Sequence, residues 1–137
     1  MNTKKGFTLL ELLVAISIIA ILVAVGVVSY TSVNRRSRNA KRVTDLEQIR
    51  NALEMYKSEQ ATNIYVNGTG NADTILTPLP TGSYIPTIPK DPQTTPYYYS
   101  SSAPNTTYCL GTNLEFLSTA PTPACTCGTY NYCVKNP

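Results

Sequence analysis

The chain reads as an α+β protein: a long N-terminal helix, membrane-spanning in its first half and amphipathic in its second, packed against a small C-terminal antiparallel sheet with loops. Three observations predict this. An apolar run, Leu12 to Val28, carries no charge and is preceded by a lone acid, Glu11. Beyond it Val43, Leu46, Ile49, Leu53 and Tyr56 recur every three or four residues, the spacing that places side chains on one helical face. All ten prolines follow residue 77, among segments rich in Tyr, Thr and Asn that suit short strands and turns.

The first element is the apolar helix. Phe7 to Val28 is 22 residues, about 33 Å as a helix against roughly 30 Å of bilayer hydrocarbon, so it crosses a membrane once. A cleaved secretory signal has a shorter apolar core followed by a small-residue cleavage site, which neither Val25-Gly26-Val27 nor Val28-Ser29-Tyr30 matches well. The only interior glycine, Gly26, costs about 1 kcal/mol relative to alanine. Because no proline occurs before Pro78, the helix is expected to continue to about Gln60, some 54 residues and roughly 80 Å. Ala61-Thr62-Asn63 and the glycine-rich Asn67-Gly68-Thr69-Gly70-Asn71 then read as helix breakers. The expected organisation is a leader over 1–6, a membrane and assembly helix over 7–29, an amphipathic helix over 30–60, and a small disulfide-bonded sheet domain over 61–137.

The last 77 residues must cover the apolar stripe, since so small a domain buries little surface alone. Tyr97-Tyr98-Tyr99, the turn-forming Ser102-Ala103-Pro104-Asn105 and Thr107-Tyr108-Cys109-Leu110 read as a hairpin, and Thr129 to Val134 as a third strand. Eight of the ten tyrosines lie after residue 63 and are expected to pack on strand faces with their hydroxyls at the surface. The four cysteines, Cys109, Cys125, Cys127 and Cys133, allow three pairings, of which Cys125 with Cys127 would close a strained ring. Two disulfides are expected, each worth about 2–4 kcal/mol. The competing reading is a four-cysteine zinc site, for which Cys-x-Cys is an unusual spacing.

Composition narrows the function. The formal charge of +3 falls to about +1 without Lys4 and Lys5, which gives no footprint for nucleic acid. The basic cluster Arg35, Arg36, Arg38, Lys41 and Arg42 reads as a solvated face beside the membrane. By the positive-inside rule that cluster would lie in the cytoplasm, whereas the cysteines and the Thr, Asn, Tyr and Pro richness after residue 61 point outward. The outward orientation is preferred, with the basic leader read as a recognition signal. The chain has no histidine, and Asp73, Asp91 and Glu115 are scattered, so neither an enzyme nor a catalytic residue is expected.

Glu11 needs a separate account. A charge at a bilayer centre costs about 2.5–3.5 kcal/mol on insertion scales, so an acid in such a run reads as functional, with a partner. Cleavage between Gly6 and Phe7 would set a new α-amino group four residues, or one helical turn, from this carboxylate. An ammonium on a neighbouring chain would both neutralise the acid and fix the axial register of two helices.

The segment Lys5-Gly6-Phe7-Thr8-Leu9-Leu10-Glu11-Leu12-Leu13 resembles the prepilin cleavage and methylation signature of type IV pilins and type II secretion pseudopilins. The resemblance implies cleavage after Gly6 by a prepilin peptidase, N-methylation of Phe7, and Glu11 as the acid that guides assembly. It also implies a structural filament subunit that polymerises with other pilins or pseudopilins on an inner-membrane platform. The N-terminus would be cytoplasmic and the C-terminal domain extracytoplasmic, then part of an envelope or extracellular filament. A second segment, Tyr84-Ile85-Pro86-Thr87-Ile88-Pro89-Lys90-Asp91-Pro92 followed by Pro96-Tyr97-Tyr98-Tyr99, is similar to the major-pseudopilin segment in which Leu-Pro-x-Asp-Pro precedes a Pro-Tyr strand. It departs from that pattern where Gln93-Thr94-Thr95 replaces Trp-Gly-Asn. Only Glu115 supplies a carboxylate side chain beyond Asp91, too few for the several oxygens calcium takes, so no metal or cofactor is expected. The alternative from a different class is a monomeric, membrane-anchored extracytoplasmic binding domain.

Overall fold

A computed structural model describes residues 6–101, 103–115 and 125–137. Its elements are helix α1 (Leu9–Glu59), strand β1 (Gly68–Asn71), short helices α2 (Ala72–Ile75) and α3 (Pro78–Thr81), and strands β2 (Tyr98–Ser101), β3 (Tyr108–Thr112) and β4 (Tyr132–Lys135). The α+β class is as expected: a long N-terminal helix with a small antiparallel sheet. The chain forms two compact units, one ending at Arg36 and one running Ser37–Pro137.

In the first unit α1 begins at Leu9, two residues later than expected. Every described side chain from Gly6 to Val33 is exposed, including Ile18, Ile21, Leu22 and Val28. The helix is long and apolar enough to cross a membrane. Three of its hydroxyls are turned back onto their own backbone: Ser17 Oγ donates to the Leu13 carbonyl at 2.8 Å, Ser29 Oγ to Val25 at 3.2 Å and Thr31 Oγ1 to Val28 at 3.0 Å. In hydrocarbon, where no water can satisfy a hydroxyl, such bonds remove the cost of carrying one.

In the second unit α1 ends at Glu59, one residue short of the expected Gln60. Leu46, Ile49, Ala52 and Leu53 form a fully buried stripe. They pack in one core with Tyr65, Val66, Leu76, Leu79, Tyr97, Tyr99, Tyr108 and Leu110. Val43 and Tyr56, predicted on this face, lie at its half-buried margins. The strands are ordered β1-β2-β3-β4, every pair antiparallel, with Tyr99 opposite Leu110 and Leu110 opposite Val134. Alternation sends Tyr99 and Leu110 toward the helix and Tyr98 and Cys109 to the other face.

That second face is not open. Cys127 and Tyr130 lie over it, and with Tyr98, Cys109, Cys125 and Cys133 they make a second small cluster. The Tyr98 and Tyr130 rings stand 5.4 Å apart. All five residues of β3 are therefore buried. Gly111 permits this cover, because a Cβ there would lie 2.9 Å from Cys127 Sγ and 3.0 Å from Cys127 Cβ.

The expected hairpin forms β2 and β3, and the third strand is β4, displaced toward the C-terminus. The glycine-rich segment, which lies beyond the helix end as a breaker should, also forms an edge strand. Gly68 and Gly70 adopt φ of 147° and 143°, which side chains disfavour. The Ile75 side chain explains the choice at Gly68, where a Cβ would meet Ile75 Cγ2 at 2.7 Å. Two single-turn helices also occupy a stretch expected to hold loops and strands, and α3 begins with Pro78, where a missing N–H costs nothing.

Candidate functional site

Of the residues singled out at the N-terminus, Gly6, Phe7 and Glu11 are described, whereas leader residues 1–5 lie outside the described residues. Phe7 is 86% exposed. Helix α1 starts at a reciprocal cap. The Thr8 backbone N–H donates to Glu11 Oε2 at 2.8 Å, and the Glu11 N–H donates to Thr8 Oγ1 at 3.2 Å. The Thr8 hydroxyl also donates to Glu11 Oε2 at 2.8 Å. This is the capping box of a Thr-x-x-Glu sequence, which satisfies two helix-end donors at once. Thr8 was not singled out from the sequence, although its spacing to Glu11 before an apolar run is the signal for such a cap. In the uncut chain Glu11 is therefore engaged by Thr8.

In the second unit, where α1 meets the sheet domain, a set of charges converges. Arg42 and Asp91 have side chains only 3% exposed. Arg42 Nε donates to Asp91 Oδ2, and Nη2 donates to Asp91 Oδ1 at 3.1 Å and Gln93 Oε1 at 3.0 Å. Its Nη1 donates to Glu115 Oε1 at 2.8 Å, and Arg38 Nε donates to the same oxygen at 2.7 Å. Asn39 joins the set twice, donating to the Glu115 carbonyl at 2.9 Å and accepting the Glu115 N–H at 2.9 Å. The hydrogen bonds from Arg38, reinforced by Arg42, hold the Glu115 carboxyl down to about 2. The bonds from Asp91 push the Arg42 guanidinium up.

This corrects two expectations. The basic cluster does not simply face water, since Arg42 is buried and Arg38 is half-buried and paired. Nor are the three acids all scattered: Asp91 and Glu115 meet at Arg42, while Asp73 stays exposed on α2. The signal in the sequence is the position of Arg42, four residues before Leu46 and hence on the apolar stripe. A buried arginine there requires carboxylates from elsewhere in the fold.

The tyrosine expectation is also corrected. Tyr97 Oη donates to Asp45 Oδ2 at 2.6 Å, Tyr65 Oη to Glu54 Oε1 at 2.9 Å, and Tyr99 Oη to the Val66 carbonyl. These hydroxyls are inside, and burial pushes all three upward in pKa. The cysteines are joined as Cys109–Cys125 and Cys127–Cys133. The first ties β3 to the covering segment, and the second ties that segment to β4.

Comparison with known proteins adds three findings. Residues 1–27 match the family described as the prokaryotic N-terminal methylation motif. The chain is 33% identical over 109 residues to type II secretion system core protein G of Vibrio cholerae serotype O1, covering 74% of this chain and 73% of that one. It is 32% identical over 100 residues to the protein of the same name from Klebsiella pneumoniae, covering 67% and 71%. A type IV major fimbrial protein, FimA of Dichelobacter nodosus, is 31% identical over 72 residues, covering 51% of this chain and 46% of that one. No solved structure matches the chain significantly.

Proposed function

We propose, for a chain that belongs to the pilin and pseudopilin family, that it is a structural subunit of a type II secretion pseudopilus, stored in the cytoplasmic membrane and then polymerised through α1. The observation that carries this reading is the methylation motif running directly into a helix whose apolar side chains are exposed from Phe7 to Val33. In a bilayer lipid covers that surface, and in a filament neighbouring helices do. The alignment covers 73% of protein G's own length, against 46% for the fimbrial relative, which supports the secretion branch over a pilus.

In this reading prepilin peptidase cuts after residue 6, Phe7 is methylated, residues 7–29 form the membrane and assembly segment, and residues 61–137 face away from the cytoplasm. Cleavage frees an amine beside Thr8. Glu11 then exchanges its Thr8 bonds for the ammonium of a neighbouring subunit, which sets the register between helices. Partners are other pseudopilins, the peptidase and the inner-membrane platform.

Glu11→Ala tests the reading. Filament yield and subunit crosslinking in cells carrying the secretion machinery are expected to fall at least tenfold, while the amount of membrane-stored subunit stays unchanged. Undiminished crosslinking would leave the monomeric anchored domain as the better account. Intact mass tests processing separately, since an unshortened chain in cells with the peptidase contradicts cleavage after Gly6.

A further inference from the structure

We propose that the Cys109–Cys125 disulfide is the entry point for thiol–disulfide exchange with a small anionic thiol of the glutathione class, and that the exchange passes inward to Cys127. Three observations carry this. The disulfide borders an open cavity of about 430 Å³, lined also by Ser100, Thr107, Lys135 and Asn136. Hydroxyls, an amide and one ammonium suit a small polar molecule bearing carboxylates. Of the four sulfur-bearing residues, only Cys125 is half-exposed, whereas Cys109, Cys127 and Cys133 are 7%, 2% and 7% exposed. Finally, the sulfurs of Cys109, Cys127 and Cys133 all lie within 4.8 Å of one another.

The chemistry follows from access and spacing. An incoming thiolate attacks Cys125 Sγ, on the more exposed of the two bonded cysteines, and the Cys109–Cys125 bond breaks. Cys109 leaves as a thiolate beside the second disulfide. There it attacks Cys127 Sγ, forming Cys109–Cys127 and releasing Cys133. Attack on Cys133 is disfavoured. Gly111, not Cys109, is opposite Cys133, and although the two sulfurs are close, the Cα atoms of diagonal neighbours in a ladder typically stand about 7–8 Å apart, longer than the Cα span of an ordinary disulfide. Cys127 lies on the covering segment, outside the ladder. The released Cys133 sulfur takes up the proton given up by the entering thiol, and the Tyr130 carbonyl, 3.8 Å away, accepts the hydrogen bond from its S–H. Two disulfides are present before and two after, so no separate oxidant or reductant is consumed.

The experiment treats the oxidised full-length chain in detergent with glutathione at mildly alkaline pH. Acid quenching, alkylation of free thiols and mapping of unreduced peptides by fragmentation follow. The expected product carries glutathione on Cys125, a Cys109–Cys127 bond and an alkyl group on Cys133. An intact Cys127–Cys133 bond with alkylated Cys109, a Cys109–Cys133 bond, an adduct on another cysteine, or no adduct would each overturn the proposal. A C127S/C133S variant removes the inner acceptor, so glutathione is expected on Cys125 with Cys109 alkylated. Failure of this variant to add glutathione while its circular dichroism remains native also counts against the entry point. Lys135→Glu is expected to slow addition of glutathione about tenfold without slowing cationic cysteamine. Equal slowing of both thiols, or of neither, contradicts the assigned cavity.

Discussion

Residues 9–36 of α1 present Leu, Ile and Val outward on every side and hold one acid, Glu11, at their very start. Residues 37–59 of the same helix bury one narrow stripe, and that stripe includes Arg42 and Asp45 beside Leu46 and Ile49. The two regions satisfy charge differently. Glu11 is bonded within one turn to Thr8, so its cap draws on no distant part of the chain. Arg42 depends on Asp91 and Glu115, 49 and 73 residues away, so its partners exist only after the sheet domain has formed. Local satisfaction suits a segment that must persist in lipid, and long-range satisfaction makes one folded state specific.

The largest test of this contrast is Arg42→Ala. Removing the guanidinium leaves Asp91 buried without its ion-pair partner, while Glu115 keeps Arg38, and the cost is about 3–5 kcal/mol. Thermal unfolding of the sheet domain in the detergent-solubilised chain is expected to shift down accordingly, whereas membrane insertion is not. A second test uses one substitution type in both regions. Leu53→Ala removes a fully buried side chain and is expected to cost about 2–5 kcal/mol. Ile18→Ala in the exposed half is expected to change the same denaturation midpoint by less than about 0.5 kcal/mol. Equal effects would mean that the exposed half contributes to the folded unit.

The smallest effect is titration. Glu115 has a folded value of about 2 against an ordinary 4.5, so between those values the unfolded chain binds more protons. The stability contributed by this group is fully present above about 4.5 and is lost as pH falls through about 2. Glu115→Gln is expected to flatten the acid limb of a stability-against-pH curve in that window, which chemical denaturation at successive pH values measures.

What could be read from the sequence divides along the same line. The helix was legible almost to the residue, because an uncharged apolar run and a three-to-four spacing are local signals. The β2–β3 hairpin was legible for the same reason, since Tyr97 to Leu110 carries its own turn. The edge strand β1 was not. Gly68 and Gly70 look like breakers until Ile75 is seen above them, and that contact belongs to the fold. The charge network around Arg42 was hidden by sequence distance, although an arginine in register with Leu46 and Ile49 marked one end of it. The tyrosine hydroxyls were misplaced because a strand pattern gives the facing of a ring but not the acid, such as Asp45, that accepts its hydrogen bond.

Strand β3 has a consequence for how the molecule behaves over hours. It lies between β2 and β4, with the helix core on one side and the Cys127–Tyr130 segment on the other, so little of it is open to water. Its backbone is released only when the whole domain opens, whereas Gly68–Asn71 at the sheet edge opens by local fraying. Placed in heavy water, the domain would take up deuterium from the rim inward. The amides of Cys109 to Gly111 would be the last to exchange and would report the global stability of the fold.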